Sequence, residues 1–422
     1  MDEQLELFQT GAPAARRNAD ELHTELSAFQ EFGTETLVTE TSVDGLAPTS
    51  TYVNEFWTSK QRAAHSLHEL SYRACFKPQL PRFFIERLTG VGDVVYDPFM
   101  GRGTTLLEAA LLGRTPIGCD VNPLSQVLVE PRLDPPTFDQ TASRLDEIDF
   151  ADVDDAPEDL LVFYHPDTLA EISALRRYLL RREKDGLSDA IDRWVRMVAI
   201  NRLTGHSPGF FSVYTLPPNQ AVSVKSQRNI NARRNQTPPR RDALDLILRK
   251  TTSLLRACDD ATRRKLAHAS RERLLLTTDA ASTDTIPSGT VDLVVTSPPF
   301  LDVVDYAQDN WLRCWFCGID VARVQISMHG DISRWQAAMS SVFVELMRVL
   351  RPGGHVAFEV GEVRGGKVRL EEIVLPCGMD AGLDPQLVLI NEQDFTKTSN
   401  CWGVTNRTKG TNTNRVVLFR KS

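Results

Sequence analysis

The stretch VDLVVTSPPF, Val291 to Phe300, ends an apolar strand in a hydroxyl, two prolines and an aromatic ring. Those residue types at that spacing have a definite chemistry. Pro298 and Pro299 remove two backbone donors and fix φ, leaving a rigid turn that presents acceptors only. The Ser297 hydroxyl and the neighbouring carbonyls can then receive hydrogen bonds from an amino group. Phe300 supplies a flat face on which a planar base can stack. A stiff, uncharged, acceptor-lined notch beside a ring suits an exocyclic NH2 on a nucleobase. Pro-Pro after a strand can also be a plain chain-stopper, but the order Ser-Pro-Pro-aromatic after such a strand is more particular.

A second constellation lies upstream, in DPFMGRGTT, Asp97 to Thr105. Gly101 and Gly103 fall between a predicted strand and a predicted helix, where the absence of Cβ lets the backbone turn tightly and approach a ligand. The N–H groups of the helix start, from Thr104 on, open into the same space. Seventeen residues after Gly103 the next predicted strand ends in Asp120, the place from which an acid grips a ribose in dinucleotide-type folds. The third glycine of a pyrophosphate fingerprint is missing, since Thr104, Thr105 and Leu106 follow Gly103. The pattern therefore predicts a nucleoside ligand without a pyrophosphate, and S-adenosylmethionine fits. Asp279, at the end of the apolar run in LLLTTDA, is a further candidate, either as an acceptor for an adenine amino group or as a turn aspartate.

These groups require a scaffold, and the pattern supplies one. DVVYDPFMGRGTTLLEAALLGRTPIGCD reads as strand 93–96, glycine turn, helix 104–112 and strand 116–119, the opening of a parallel βαβ unit. A helix is expected over 72–88 from the spacing of Phe76, Leu80, Phe83, Phe84 and Leu88. The alternation breaks over 136–270, which holds amphipathic helices such as 168–184 and 242–266 and a loop-rich basic piece. It resumes at RLLLTTDA and runs through VDLVV, the helix RWQAAMSSVFVELMRVL and the strands HVAFEVG, PQLVLINEQDF and NRVVLFRK. The expected fold is α/β: one doubly wound Rossmann-like sheet with a helical, basic insertion between its two halves. The divisions are an N-terminal arm (1–50), a cofactor half (51–135), the insertion (136–270) and a catalytic half (271–422).

Composition narrows the class. The 422-residue chain is 41% hydrophobic and 25% charged, as globular proteins are, and no run reaches the length of a membrane span. Its N-terminus lacks the basic start and apolar core of a secretory signal. Seven scattered cysteines do not form a disulfide framework, so a reducing cytoplasm is the expected location. The net charge of −8 hides an asymmetry. Between Asn201 and Arg256 ten Lys and Arg face two acids, a local +8 that leaves −16 on the remainder. A basic island on an acidic body predicts a polyanion surface, although a solvated helix face carries the same signature.

TSPPF together with DPFMGRGTT resembles the DNA amino-methyltransferases, which methylate the exocyclic nitrogen of cytosine or adenine using S-adenosylmethionine. Asp-Pro-Pro-Tyr is usual for that family's adenine enzymes and Ser-Pro-Pro-aromatic for its cytosine-N4 enzymes; this chain has the serine form. The resemblance covers about 70–135 and 271–422. It implies catalytic roles for Ser297, Pro298, Pro299 and Phe300, and cofactor contacts from Asp97, Pro98, Phe99, Gly101, Gly103, Thr104, Asp120 and Asp279. FKPQLPRFFIERL looks like the family motif that walls the methionine end of the cofactor, through Phe76, Lys77 and Pro78. The insertion becomes the target-recognition region, with Lys225, Arg228, Arg233, Arg234, Arg240 and Arg241 meeting double-stranded DNA. Lys409 joins them from a polar stretch between the last two strands, where Asp394, Thr396, Lys397, Asn400, Trp402, Asn412 and Asn414 are candidates for the mouth of the base pocket. A cognate restriction endonuclease is the functional partner the resemblance implies, and the bacterial or archaeal nucleoid the setting. Where the family begins with its catalytic motif, this chain places the cofactor half first.

Other chemistries fit less well. A carbon-5 cytosine enzyme needs a cysteine nucleophile after proline; Pro376-Cys377 lies far from the strand-end notch and lacks the expected glutamine. Cys314 and Cys317 have a metal-pair gap but no second pair, so no metal is expected. GHSPGFF lacks the Gly-x-Ser-x-Gly elbow of hydrolases. Adenine-N6 or an RNA base remains an alternative substrate, and a non-catalytic DNA-binding module is the reading from another class.

Overall fold

The computed structural model describes residues 19–57, 64–72, 76–150, 156–215, 221–299, 306–321, 331–363, 368–392 and 413–422. In chain order the elements begin with α1 (Ala19–Ser27), β1 (Leu37–Thr41), β2 (Thr49–Asn54), α2 (Gln79–Leu88), β3 (Val94–Asp97), α3 (Thr104–Leu111), β4 (Thr115–Cys119) and α4 (Leu124–Leu133). A helical stretch follows: α5 (Phe138–Asp146), α6 (Pro166–Lys184), α7 (Ala190–Ile200), α8 (Val224–Arg234), α9 (Ala243–Leu255) and α10 (Asp260–Ser270). The chain then returns to alternation with β5 (Leu274–Leu276), β6 (Val291–Thr296), α11 (Tyr306–Cys317), α12 (Ile332–Val349) and β7 (Leu350–Val360). A small ribbon of β8 (Glu362–Val363) and β9 (Val368–Arg369) precedes α13 (Leu370–Asp380), β10 (Asp384–Glu392) and β11 (Thr413–Arg420).

Nine strands form one sheet in the order β1-β2-β10-β11-β7-β6-β3-β4-β5. β3, β4, β5, β6 and β7 pair in parallel, and β11 runs antiparallel between β7 and β10. The expected doubly wound α/β sheet is therefore what the chain forms. From β3 the chain builds outward to β4 and β5, then returns to place β6 on the other side of β3. That reversal makes the carboxyl ends of β3 and β6 the crevice where open α/β sheets bind ligands.

Alternation along the strands fills two layers. Val95, Leu293, Val295, Ala357, Leu387, Leu389, Val416 and Leu418 pack with α1 and α2 on one face. Tyr96, Val294, Val356, Phe358, Val388, Val417 and Phe419 pack with α12 and α13 on the other. A third core joins Leu106, Leu107, Leu124 and Leu128 of the cofactor half to insertion residues such as Trp194, Val198 and Ile247, and to Phe316 of α11. The helices of 136–270 thus share a core with α3, α4 and α11.

Three details differ from the expectations. The helix expected from Tyr72 starts at Gln79, because Pro78 occupies its N-cap and Pro81 its first turn. The single helix expected over 242–266 is two, since Asp259 caps a new start at Asp260. The arm expected over 1–50 is, from Ala19 on, built into the domain: Leu22, Leu26 and Phe29 are buried, and β2 pairs in parallel with β10. No helix among the described residues is long and apolar enough to cross a membrane.

Candidate functional site

The glycine turn is held from both sides. Gly101 and Gly103 adopt φ of +47° and +70°, the left-handed region. Gly103 has a second reason to lack a side chain, because a Cβ there would lie 2.3 Å from Cγ2 of Val129 on α4. It caps α3 with no side-chain hydrogen bond, which leaves the helix's first N–H groups available. The Gly101 N–H donates to Asp120 Oδ2 at 2.9 Å, and Asn122 N–H donates to Oδ1 at 2.8 Å. Each Asp120 oxygen retains acceptor capacity after these bonds. Asp120 is therefore beside the turn, at the end of β4, as its spacing predicts.

Asp97 ends β3 fully buried, accepting from the Thr296 hydroxyl at 2.6 Å and the Phe99 N–H at 3.1 Å. The first of these bonds ties the tip of β3 to the tip of β6, one residue before Ser297. Thr105 of α3 adds a second tie by donating to the Val295 carbonyl at 3.0 Å. Burial pushes the Asp97 carboxyl up to about 7 against its hydrogen bonds, and burial likewise raises Asp120. The groups that oppose these shifts are hydrogen-bond donors and not cations.

Phe76, Lys77 and Pro78 adjoin the same turn. Arg102, between the two glycines, donates to the Leu70 carbonyl at 3.1 Å and reaches the Phe76 carbonyl at 3.5 Å. Pro98 is buried, Phe99 half-buried and Lys77 exposed. Asp279 lies in the loop after β5, exposed, with Oδ1 accepting from Ala281 N–H at 2.9 Å. One of its oxygens thus does the work of a turn aspartate.

At the tip of β6, Trp335 Nε1 donates to the Pro299 carbonyl at 3.1 Å and pins the proline turn to α12. Phe300 lies outside the described residues, as do Lys409, Asp394, Thr396, Lys397, Asn400, Trp402 and Asn412. Asn414 is described, and it discloses a residue that the strand reading of HVAFEVG passed over. Its Nδ2 donates to Oε1 of Glu359 at 3.0 Å, and the Ser297 hydroxyl acts on the same carboxyl, lowering its pKa. Glu359 sits buried on β7, with burial raising its pKa against the two donors. A lone acid inside the apolar run HVAFEV was the available signal.

The basic residues separate into two groups. Lys225, Arg228 and Arg233 are exposed on α8. Arg228 meets Asp159 at 3.1 Å in a pair open to water on both sides, a contact of little energy. Arg234 lies 3.8 Å over the Tyr214 ring, and Arg240 bridges to Glu171 on α6. The Arg241 backbone exchanges hydrogen bonds with the Thr168 hydroxyl at 2.7 and 2.8 Å. Arg234, Arg240 and Arg241 thus help to hold the insertion together.

The cysteines of the rejected alternatives are buried. Burial raises the Cys314 and Cys317 thiols to about 11 and 12, and Cys377 sits in the α12–α13 layer donating to the Ile373 carbonyl at 3.2 Å. Among the described residues no group of three His, Cys, Asp or Glu is placed to hold a metal.

A mainly parallel sheet with two antiparallel strands, β1 and β11, and a glycine turn at its switch point is a Rossmann-like fold of the methyltransferase kind. A family model described as DNA methylase matches residues 5–126. The Type II methyltransferase M.MjaII of Methanocaldococcus jannaschii is 38% identical over 76 residues, 18% of this chain and 14% of the relative. M.BsoBI of Geobacillus stearothermophilus is 23% identical over 322 residues, 68% of this chain and 59% of the relative. The chain thus spans less than two thirds of the length of these relatives. Among solved structures, an rRNA methyltransferase from Streptomyces viridochromogenes aligns with a TM-score of 0.34 at 13% identity, covering 84% of this chain and 89% of that one. Over residues 5–126 the chain is thus similar to the DNA methylase family, and it shares partial likeness with Type II methyltransferases.

Proposed function

We propose that the protein transfers a methyl group from S-adenosylmethionine to the N4 amino group of cytosine in double-stranded DNA. The observation that carries this reading is the placement of Ser297 at the sheet's switch point, one residue after the Thr296–Asp97 hydrogen bond that ties β6 to β3 and its glycine turn. Asp120 is placed to hold the ribose and the Gly101–Gly103 turn to admit the rest, with Phe76 to Pro78 as the wall of the methionine end. When bound, S-adenosylmethionine supplies an electrophilic methyl on a sulfonium.

The chain's own residues position and deprotonate the nucleophile. A flipped-out cytosine gives its amino hydrogens to Ser297 Oγ and the Pro298 carbonyl, which turns the nitrogen lone pair out of ring conjugation. Positioning supplies most of the acceleration because the methyl donor is already activated. The amino nitrogen becomes cationic as the N–C bond forms and the S–C bond breaks. Ser297 Oγ then accepts its proton while passing its own to Glu359, and the buried carboxylate ends neutral, as its raised pKa favours. Lys225, Arg228 and Arg233 offer charge to the DNA backbone, and pairing with a restriction endonuclease follows the family's usual setting.

Duplex DNA, transfer RNA and ribosomal RNA offered together with S-adenosylmethionine bearing a tritiated methyl group test the substrate class. Label is expected in DNA; label confined to either RNA overturns the reading.

A further inference from the structure

Helix α8 lacks the apolar stripe that docks most surface helices. Its inward side consists of Gln227, Ile230, Asn231 and Arg234, at i, i+3, i+4 and i+7. Gln227 Nε2 donates to the Tyr214 carbonyl at 3.1 Å and to Asn231 Oδ1 at 2.8 Å, while Asn231 Nδ2 donates to the Val162 carbonyl at 2.7 Å. Gln236, just past the helix, repeats both contacts, donating to the Tyr214 carbonyl at 2.9 Å and to Asn231 Oδ1 at 2.8 Å. Arg234 lies over the Tyr214 ring, and Asn235 ends the helix in the left-handed conformation at φ +45°. The helix is held by directional bonds, which fix its rotation about its own axis more tightly than apolar packing does.

The opposite side is Lys225, Arg228, Asn229, Ala232 and Arg233, at i, i+3, i+4, i+7 and i+8, all exposed. No acid stands on α8 itself; the facing carboxylate is Asp159, in the water-exposed pair with Arg228. This stripe combines three cations with one amide and one methyl. Cations suit phosphates, an amide can pair with the N6/N7 edge of adenine, and a methyl can meet that of thymine. The helix is also tied to the catalytic strand's continuation. The Ala221 N–H donates to the Asp309 carbonyl at 3.2 Å, and Trp311 Nε1 donates to the Val222 carbonyl at 3.3 Å. Both partners are on α11, which begins nine residues after Ser297.

We infer that α8 is the helix that reads DNA in the major groove, with Lys225, Arg228 and Arg233 on phosphates and Asn229 and Ala232 on base edges. The inference rests on the DNA-methyltransferase reading and narrows it to one helix face. An α-helix fits the wide major groove of B-form DNA and not the deep, narrow one of an RNA duplex. A partner that is RNA would not use this face in this way.

The test uses the full chain and a fluorescent 40-bp duplex of random sequence, with anisotropy read across a salt series. Lys225→Ala/Arg233→Ala is expected to weaken binding about tenfold and to lower the salt dependence by roughly two phosphate contacts. Arg249→Ala, in the same basic island but on α9, is expected to leave both unchanged. Asn229→Ala is expected to keep the random-duplex affinity and to broaden the set of sequences methylated when plasmid DNA is treated and sequenced. S-adenosylmethionine titration of each variant reports an intact fold and cofactor site. Wild-type affinity and salt slope in the double variant overturn the inference, as does tighter binding of the wild type to an RNA duplex of the same length. A wild type that binds DNA through these residues yet transfers no methyl group overturns the catalytic reading and leaves this one standing.

Discussion

Gly103→Ala lowers the stability of the fold by about 2–5 kcal/mol and with it the affinity for S-adenosylmethionine. Two costs combine. An alanine at φ +70° sits in the left-handed region, at roughly 1–2 kcal/mol for a residue with a Cβ. The new Cβ also falls 2.3 Å from Val129 Cγ2, an overpacking that costs about 1–3 kcal/mol in a core that does not give way. The two costs are separable. Val129→Ala in the same chain removes the two methyl contacts at 2.3 and 3.0 Å and leaves the Cβ contact at 3.2 Å with the backbone cost, so the double variant is expected to recover part of the loss. Urea unfolding of the two single variants and the double variant measures that coupling. Equal stability of Gly103→Ala and the wild type contradicts the description of this turn.

Ser297→Ala has the largest expected effect on rate, a loss of methyl transfer on the order of a hundredfold or more, the scale of general acid–base contributions. S-adenosylmethionine affinity is expected to stay near that of the wild type, because the proposed role of the hydroxyl is toward the base and not the Gly101–Gly103 turn. Glu359 sharpens the prediction. Its pKa is raised by burial, and only the ionised carboxylate can take the proton passed through Ser297. The transfer rate is therefore expected to fall as pH drops through the raised pKa, and to level off above it. Glu359→Gln keeps acceptors and shape but cannot ionise, so it slows transfer and removes that acid limb. An unaltered rate and acid limb in Glu359→Gln exclude Glu359 as the proton acceptor.

The site was legible in the sequence where its function depends on backbone geometry. Gly101, Gly103 and Asp120 announced themselves by spacing, because a tight strand-to-helix turn and the next strand's end sit at short, fixed distances along the chain. The turn at Ser297 was legible for a similar reason, since two prolines must end a strand, although the prolines alone did not separate a base-binding notch from a chain-stopper. Glu359 was not. Its place comes from β7 lying beside β6 and from Asn414 arriving on β11, and those neighbours are far apart in sequence. Burial of 19–50 was hidden in the same way, because β2 gains its partner from β10. The basic island was legible as charge, but charge alone did not separate Lys225, Arg228 and Arg233 from Arg234 and Arg240, whose partners on Tyr214 and Glu171 the fold supplies. Short-range chemistry could be read directly; pairing across the sheet had to be seen.

The central claim concerns one nitrogen. Plasmid DNA methylated by the purified chain with tritiated S-adenosylmethionine, digested to nucleosides and separated by chromatography, identifies the atom that received the label. Radioactivity eluting with N4-methyldeoxycytidine is the expected result. Radioactivity eluting with N6-methyldeoxyadenosine or 5-methyldeoxycytidine, or DNA left unlabelled by a chain that binds the cofactor, contradicts it.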